Sequence, residues 1–119
     1  MESLIGEKSF AFAVVVVRAA RVIRDEQREY DLAGQFLRSG TSIGANVSEA
    51  RYAQSKKDFI SKHKIALKEA NECRYWLRLL SECEVLDKEL SKNLIKEVEE
   101  LIKILTAIIR TSETKTVFN

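Results

Sequence analysis

Residues 56–80 read KKDFISKHKIALKEANECRYWLRLL and show the clearest helical pattern in the chain. Its apolar and small side chains recur at alternating intervals of four and three residues, which aligns them along one side of an α-helix. The members of this stripe are Phe59, His63, Ala66, Ala70, Cys73, Leu77 and Leu80. Ser55 stands directly before the stretch with Asp58 three positions later, a pattern typical of a helix N-terminus. The sequence therefore predicts a long amphipathic helix over residues 56–81.

The segment that follows carries a second stripe of the same kind. The polar turn from Ser81 to Asp87 separates the two segments, and apolar residues then recur at intervals of three or four. The stripe consists of Leu90, Leu94, Val98, Leu101, Leu105 and Ile108, widened by a flanking row of Ile95, Ile102 and Ile109. This pattern predicts another long helix over residues 87–111.

The N-terminal segment is less uniform. Its run of four valines, Val14 to Val17, is β-branched and taken alone would suit a buried strand. However, Phe10, Val14, Val17, Arg21 and Arg24 follow helical spacing, and a lone strand would have no partner elsewhere in the chain. We therefore predict a helix over residues 8–24, followed by a charged stretch that interrupts the apolar pattern.

The second segment, residues 31–51, is distinguished by a row of small residues. Gly40, Gly44 and Ser48 stand four positions apart, so one side of the predicted helix is almost bare of side chains. Such a side permits close approach by a neighbouring helix, at a cost of about 1 kcal/mol of helix propensity for each glycine. We expect this helix to pack closely against another.

Length and composition agree with a small, purely helical protein. The chain has 119 residues, of which 45% are hydrophobic and 32% charged, and it contains no proline. This hydrophobic content excludes a disordered tail, and the scarcity of proline and glycine excludes a collagen or a turn-rich β-sandwich. Four helices with short connections predict one domain over residues 1–119, an all-α, antiparallel up-down-up-down four-helix bundle.

The sequence indicates neither export nor membrane insertion. The longest apolar run, Phe10 to Val17, has eight residues, whereas a membrane span needs about 20. The N-terminal residues MESLIGEKSF lack the basic and cleavage regions of a signal peptide. Cys73 and Cys83 are ten residues apart, on different sides of a helix, and suit free thiols in a reducing cytosol. We therefore expect a cytoplasmic protein with no membrane partner.

No combination of residues predicts catalysis, a metal site or a cofactor site. The single histidine, His63, falls within the apolar stripe, which favours a hydrogen-bonded core residue, and no Glu-x-x-His pair is present. The glycines match no phosphate-binding pattern, and the hydroxyls around Ser42 have no activating base. Glu69 and Glu72 are interpreted as a charged pair on a solvated side of the helix. The sequence therefore predicts a protein that is not an enzyme.

The distribution of charge is the informative signal. Residues 51–78 contain eight basic and three acidic residues, a net charge of +5, whereas residues 82–100 contain seven acidic residues and three lysines, a net charge of −4. On a helical wheel, Asn71 and Tyr75 share an exposed side with most of the basic residues. The candidate nucleic-acid contacts are Lys57, Lys64, Lys68, Arg74 and Arg78.

Two other interpretations of this charge remain open. A charged face is often simply solvated, or the basic helix of one subunit meets the acidic helix of another in an oligomer. Tyr75 and Trp76 are adjacent, so that one points outward while the other lies nearer the edge of the core. An exposed aromatic side chain beside Leu79 favours an interface.

Two stretches carry a resemblance to a known bacterial family. They are QFLRSGTSIGANVSEA at residues 35–50, with Arg-Ser, Ser-Ile-Gly-Ala-Asn and Glu, and residues 56–80, with Asp-Phe-Ile, Ile-Ala, Glu and Tyr-Trp-Leu. Both resemble the four-helix-bundle proteins first noticed as reading frames inside intervening sequences of 23S ribosomal RNA genes. The similarity covers most of the chain, although the first and last helices match only in pattern.

The resemblance implies an antiparallel bundle that assembles into a barrel-shaped homopentamer. A related branch, the accessory proteins of diversity-generating retroelements, works with a reverse transcriptase and binds nucleic acid through basic surfaces. The resemblance therefore implies a second copy of the chain, RNA or DNA, and a reverse transcriptase as partners. The motif positions in this sequence, expected to be structural or at an interface, are Arg38, Ser39, Ser42, Gly44, Asn46, Glu49, Tyr75 and Trp76.

Two functional hypotheses follow from the sequence and the resemblance. The leading one is a non-enzymatic, oligomeric bundle that binds RNA or another nucleic acid through the basic face of its third helix. The alternative is a protein–protein interaction scaffold that binds no nucleic acid. Among the motif positions, Arg38 and Glu49 are expected to bridge helices or subunits.

Overall fold

The computed structural model of the protein describes residues 3–118, with side chains as far as Thr114. Four helices follow one another along the chain: α1 (Leu4–Gln27), α2 (Tyr30–Ala50), α3 (Lys56–Glu82) and α4 (Lys88–Phe118). The four predicted helices are confirmed, and no described residue lies in a strand. Helix α1 begins earlier than predicted, directly after the Ser3 cap, and its first turn brings Ile5 into the core. Helix α4 ends later than predicted, because polar residues prolong a helix without extending its apolar stripe.

Local hydrogen bonds and backbone geometry set the ends of α3. The Ser55 hydroxyl accepts a 3.0 Å hydrogen bond from the Asp58 backbone N–H, which is the N-terminal cap predicted from the sequence. After α3, Glu84 adopts a left-handed conformation with φ 59°, which turns the chain. The Asp87 carboxylate then accepts a 3.0 Å hydrogen bond from the Leu90 N–H and caps α4. The turn between the two long helices is therefore short and well defined.

Between successive helices, residues further along one helix contact residues further back along the other, so each helix is antiparallel to the one before it. Gly40 lies against Val16 and Gly44, further along α2, lies against Ser9, further back along α1. Two cross-helix ion pairs show the same reversal for α3 and α4: Arg74 with Glu99, and Lys64 with Glu113. The reversal of α3 against α2 is shown by two further ion pairs, Glu49 with Lys62 and Arg38 with Glu69. The order is that of an up-down-up-down bundle.

The core lies along the axis of the bundle, where all four helices contribute. The largest side chains that are almost fully buried are Phe12, Phe36, Ile23, Ile43, Leu77, Leu80, Leu94, Leu101 and Leu105. Packing between α1 and α4 is much less extensive than packing between successive helices. Lys8 and Glu100 form an ion pair across this looser seam, and the hydrogen bond from Lys8 lowers the pKa of Glu100 below its ordinary value.

The structure corrects the apolar sides inferred for α1 and α4. In α1, Phe10 is 71% exposed and Val14 and Val17 are half-buried, so the spacing identified the helix but not its buried side. The buried side is instead Ile5, Ser9, Phe12, Val16, Ala19, Ala20 and Ile23. In α4 the buried stripe ends on Ile109, with Ile108 only half-buried. Because 3.6 residues make one turn, a stripe drifts around a long helix and its last member changes.

None of the helices within residues 3–118 combines the length and the apolar character that crossing a lipid bilayer requires.

Candidate nucleic-acid interface

The outer side of α3 carries most of the residues that the sequence predicted as nucleic-acid contacts. Because the opposite side is buried in the bundle, residues spaced by three, four or seven positions line up towards solvent. Six exposed residues form this line, which we call the α3 row: Lys57, Lys64, Lys68, Asn71, Tyr75 and Arg78. The remaining basic candidate, Arg74, lies beside the row and is half-buried.

Two of the five basic candidates are joined to α4 by ion pairs. The Nζ atom of Lys64 lies 3.0 Å from a carboxylate oxygen of Glu113, and a guanidinium nitrogen of Arg74 lies 3.7 Å from a carboxylate oxygen of Glu99. Exposed pairs of this kind contribute about 0–1 kcal/mol to stability. Basic α3 and acidic α4 therefore neutralise one another partly within one chain, which leaves fewer charges for such a pairing between subunits.

The other three basic candidates have no such partner. Lys57, Lys68 and Arg78 form no ion pair with any carboxylate in the part of the chain that the structure describes. Together with Lys64 and Ile65, Lys57 and Lys68 line a surface depression of about 450 Å³. Positive charge that no nearby acid neutralises is what a phosphate backbone requires of its contacts.

Arg38 on α2 holds two carboxylates of α3 that lie one helical turn apart. Its Nη1 atom donates hydrogen bonds of 3.2 and 3.3 Å to the two oxygens of Glu69, and its Nη2 atom donates to Glu72. The charge of Glu69 is the main cause that raises the pKa of Arg38 above its ordinary value. The Glu69 side chain is only 14% exposed, so the interpretation of Glu69 and Glu72 as a solvated pair is wrong. Sequence spacing within α3 gives no sign of a cation supplied by another helix.

The carboxylate of Glu72 also links Arg38 to the aromatic pair of α3. The Trp76 indole Nε1–H donates a 3.2 Å hydrogen bond to Glu72 Oε2, the same oxygen that accepts from Arg38. The Tyr75 ring meets Trp76 edge-on, with ring centroids 5.1 Å apart and planes at 74°. Trp76 is half-buried, whereas Tyr75 is 57% exposed. A continuous series of contacts therefore connects α2 to the exposed tyrosine of the α3 row.

The remaining motif residues of α2 serve the helix and its packing. Ser42 donates a 2.6 Å hydrogen bond to the Arg38 carbonyl oxygen, and Asn46 donates one of 2.8 Å to the Ser42 carbonyl oxygen. Gly44 lies so close to the backbone of α1 that a Cβ there would be 3.3 Å from a carbonyl oxygen. Glu49 forms a 3.0 Å ion pair with Lys62, whose pKa it raises. Glu49 thus bridges α2 and α3, as Arg38 does.

The candidate reactive residues do not come together. His63 is buried, and its Nδ1 lies 2.8 Å from the Phe59 carbonyl oxygen in a local helix contact. Burial raises the pKa of the Cys73 thiol to about 12, although a hydrogen bond with Ser39 opposes the shift. Cys83 is exposed at the end of α3. Over residues 3–114, whose side chains are described, no three side chains of the His, Cys, Asp or Glu type are grouped to hold a metal ion.

A second surface, on α1 and α2, was not predicted from the sequence. Phe10, Tyr30 and Leu37 are exposed there, by 71%, 62% and 36%. Two depressions, of about 510 and 310 Å³, lie in the crevice between the two helices beside these side chains. We call this surface the α1/α2 face. The helical spacing of Phe10 with Val14 and Val17 was the signal, since it marked an apolar side that the core does not use.

Comparison with known proteins places this geometry among related bundles. A family model described as 23S rRNA-intervening sequence protein matches residues 1–107. A solved structure from Bacteroides thetaiotaomicron, described as a protein of unknown function from the S23 ribosomal protein family, shares 46% identity with a TM-score of 0.87. The match covers 89% of this chain and 98% of that one. No match is found among the curated proteins.

Proposed function

The chain belongs to the family of 23S rRNA-intervening sequence proteins, and we propose that it is a non-catalytic, self-associating bundle that binds RNA in the cytoplasm through the α3 row. The observation that carries the proposal is the state of charge along this row. Lys57, Lys68 and Arg78 are exposed and have no carboxylate partner among the described residues, whereas Arg38 and Lys62 are engaged by acids of their own bundle.

Counterion release supplies the driving force for such binding. Each cation that neutralises a phosphate releases a condensed counterion, which makes affinity fall as salt rises. The row runs along one helix, and Lys57 and Arg78 are about 32 Å apart along its axis at 1.5 Å per residue. That length matches several successive phosphates of one nucleic-acid strand. A row of this kind fixes the position of a strand without reading its sequence.

The test is the binding of a hairpin RNA as a function of salt. We expect the combined variant Lys57→Glu, Lys64→Glu and Lys68→Glu to bind much more weakly than the unaltered protein. Where binding is still measurable, the slope of log affinity against log salt is expected to be smaller by about two, because three phosphate contacts are lost. Melting temperature is followed in parallel, since exposed substitutions are expected to leave the fold intact.

The chain offers a matched control on α4. Lys92, Lys96 and Lys103 are also exposed, and their spacing of four and seven residues mirrors the seven and four of the α3 lysines. Changing all three to glutamate alters the net charge equally, and RNA affinity is expected to fall only slightly. An equal loss of RNA affinity in both variants would show that the effect comes from overall charge and not from the α3 row. Absence of RNA binding by the unaltered protein at low salt would refute the proposal.

For self-association, the α1/α2 face is the proposed contact. Large exposed apolar side chains beside two depressions are typical of protein interfaces. We expect the unaltered chain to sediment as an oligomer, with the pentamer of the family resemblance as the expected size. Phe10→Glu is expected to shift it towards the monomer, whereas Tyr52→Glu, on a 77% exposed residue after α2, is the control. A monomer at all concentrations would contradict this part of the proposal.

Sedimentation also distinguishes this proposal from the alternative, a scaffold that binds no nucleic acid. If the α3 row were a subunit contact, the combined lysine variant would dissociate the oligomer. We expect it to leave the sedimentation coefficient unchanged, because Lys64 and Arg74 already find their acidic partners, Glu113 and Glu99, in the same chain. Dissociation of that variant together with absent RNA binding would support the scaffold instead.

A further inference from the structure

We infer that Tyr75 provides a stacking surface for an unpaired base, so that the α3 row selects single-stranded segments of RNA. The inference rests on the proposed function and names the class of RNA that this site takes. Tyr75 is the one aromatic member of the row and stands between Lys68 and Arg78, with its side chain 57% exposed. A tyrosine in this position meets the bases of any strand whose phosphates follow the lysines.

The surroundings of Tyr75 fit one face of a nucleobase. A depression of about 440 Å³ lies beside the ring. Its border consists of the apolar residues Leu79 and Ile95 and the polar or charged residues Arg78, Ser81 and Glu82. Apolar atoms suit the flat face of a base, and a guanidinium group and a hydroxyl suit its hydrogen-bonding edge. A paired base offers neither its face nor its Watson–Crick edge, so this chemistry favours an unpaired one.

The Tyr75 ring is held in place by its neighbours. Its edge contact with Trp76 continues through the Trp76–Glu72 hydrogen bond to Arg38 on α2. A tyrosine that merely faced solvent would need no such contacts. A ring fixed before binding loses less conformational entropy when a base stacks on it, which favours affinity. The contacts also explain how Arg38 contributes to the site while it lies on another helix.

The experiment compares a single-stranded RNA of about ten nucleotides, which spans the row at 3.4 Å per stacked base, with its own duplex. We expect the unaltered protein to prefer the single strand. Tyr75→Ala is expected to weaken single-strand binding about tenfold, within the range measured for loss of one base–aromatic stack, and to leave duplex binding unchanged. Tyr75→Phe and Tyr75→Trp are expected to retain the affinity, because stacking requires the ring and not the hydroxyl.

Tyr52→Ala is the matched control, since Tyr52 is 77% exposed but lies in the connection between α2 and α3, outside both the α3 row and the α1/α2 face. It is expected to leave both affinities unchanged, with sedimentation measured alongside. The chain has one tryptophan, so the emission of Trp76 is expected to change when the single strand binds and not when the duplex binds. This readout needs no substitution and does not depend on the folding of a variant.

The outcomes separate this inference from the proposed function. If the lysine variant loses binding while Tyr75→Ala binds both RNAs as the unaltered protein does, the stacking site is refuted and the RNA-binding row stands. Equal affinity of the unaltered protein for single strand and duplex refutes the selectivity. If the unaltered protein binds neither RNA at low salt, the proposed function fails, and the inference fails with it.

Discussion

Gly40 on α2 lies so close to Val16 on α1 that a Cβ atom at residue 40 would be 2.7 Å from the Val16 Cγ1 and 2.8 Å from its Cγ2. Real Cβ atoms do not come that near to another carbon, so the two helices approach at a distance that only glycine allows. Val16 is fully buried and β-branched, and therefore has little freedom to move aside. Close packing of α1 on α2 depends on this pair.

Replacing Gly40 by alanine is expected to destabilise the fold. Overpacking against Val16 costs about 1–3 kcal/mol, and the gain in helix propensity of about 1 kcal/mol offsets only part of it. We expect a net loss of about 1 kcal/mol in the free energy of unfolding, measured by urea denaturation. Gly34→Ala is the matched control in the same helix: no atom lies within 4 Å of its Cβ position, so a gain of about 1 kcal/mol is expected. Stabilisation by both substitutions would contradict the close approach.

The two long C-terminal helices were predictable from the sequence, whereas the buried side of α1 was not. In α3 and α4, most positions outside the stripe are polar or charged, so the pattern favours one orientation of each helix. In α1, valine and alanine occupy the whole circumference around residues 13–17, and periodicity has too little contrast to distinguish the core side from the α1/α2 face. Phe10 belongs to the α1/α2 face, which is apolar although it does not contribute to the core.

The candidate site likewise has one part that the sequence predicted and one part that it did not. The α3 row was predictable because its residues lie on one helix, where spacing alone determines which side chains share a side. The Arg38–Glu69 contact was not, because the two residues are 31 positions apart and meet only once α2 and α3 are packed. For the same reason, residue spacing along α3 did not show that Lys64 and Arg74 are partly neutralised by α4, which distinguishes them from Lys57, Lys68 and Arg78.

Loss of Arg38 is expected to be visible in the fluorescence of Trp76. Without Arg38, Glu72 loses the cation that holds it and becomes a poorer fixed acceptor for the Trp76 indole N–H. We expect Arg38→Ala to shift the emission to longer wavelength, as the indole gains contact with water. The stability loss is expected to be about 1 kcal/mol, since Arg38 is half-exposed and its ion pairs are screened.

Lys62→Ala is the matched control for that experiment. Lys62 also joins α2 to α3 through an acid, Glu49, but makes no contact in the Arg38–Glu72–Trp76 series. Its emission spectrum is expected to equal that of the unaltered protein. Arg38→Lys separates charge from geometry, because an ammonium group cannot hold two carboxylates in the forked arrangement of a guanidinium. An unchanged spectrum in Arg38→Ala would show that Trp76 is held by packing alone.

The two cysteines are expected to react with thiol reagents at very different rates. Cys83 is exposed at the end of α3, whereas Cys73 is buried and its pKa is raised, so that little thiolate forms. In the native protein we expect one thiol to be labelled quickly and the second only when the bundle opens. Cys83→Ser should abolish the fast phase, which is followed by absorbance of the released thiolate. Two fast phases in the unaltered protein would contradict the burial of Cys73.

Burial of Cys73 also predicts a loss of stability at alkaline pH. Its pKa is about 12 in the folded protein against an ordinary value of 9.0, so above pH 9 the unfolded chain releases a proton that the folded chain retains. The unfolded state then binds fewer protons, and the free energy of unfolding falls with rising pH by up to about 1.4 kcal/mol per unit until the folded thiol ionises as well. Below pH 9 both states are protonated and this group contributes no slope.

Urea denaturation of the unaltered protein and of Cys73→Ala, from about pH 8 to about pH 10.5, isolates the effect, because the other titrating groups are common to both. The alanine variant is expected to be less stable at pH 8, owing to the cavity, but to show the shallower decline. Cys83→Ser is expected to keep the full slope, and equal slopes in the unaltered protein and Cys73→Ala would refute the assignment.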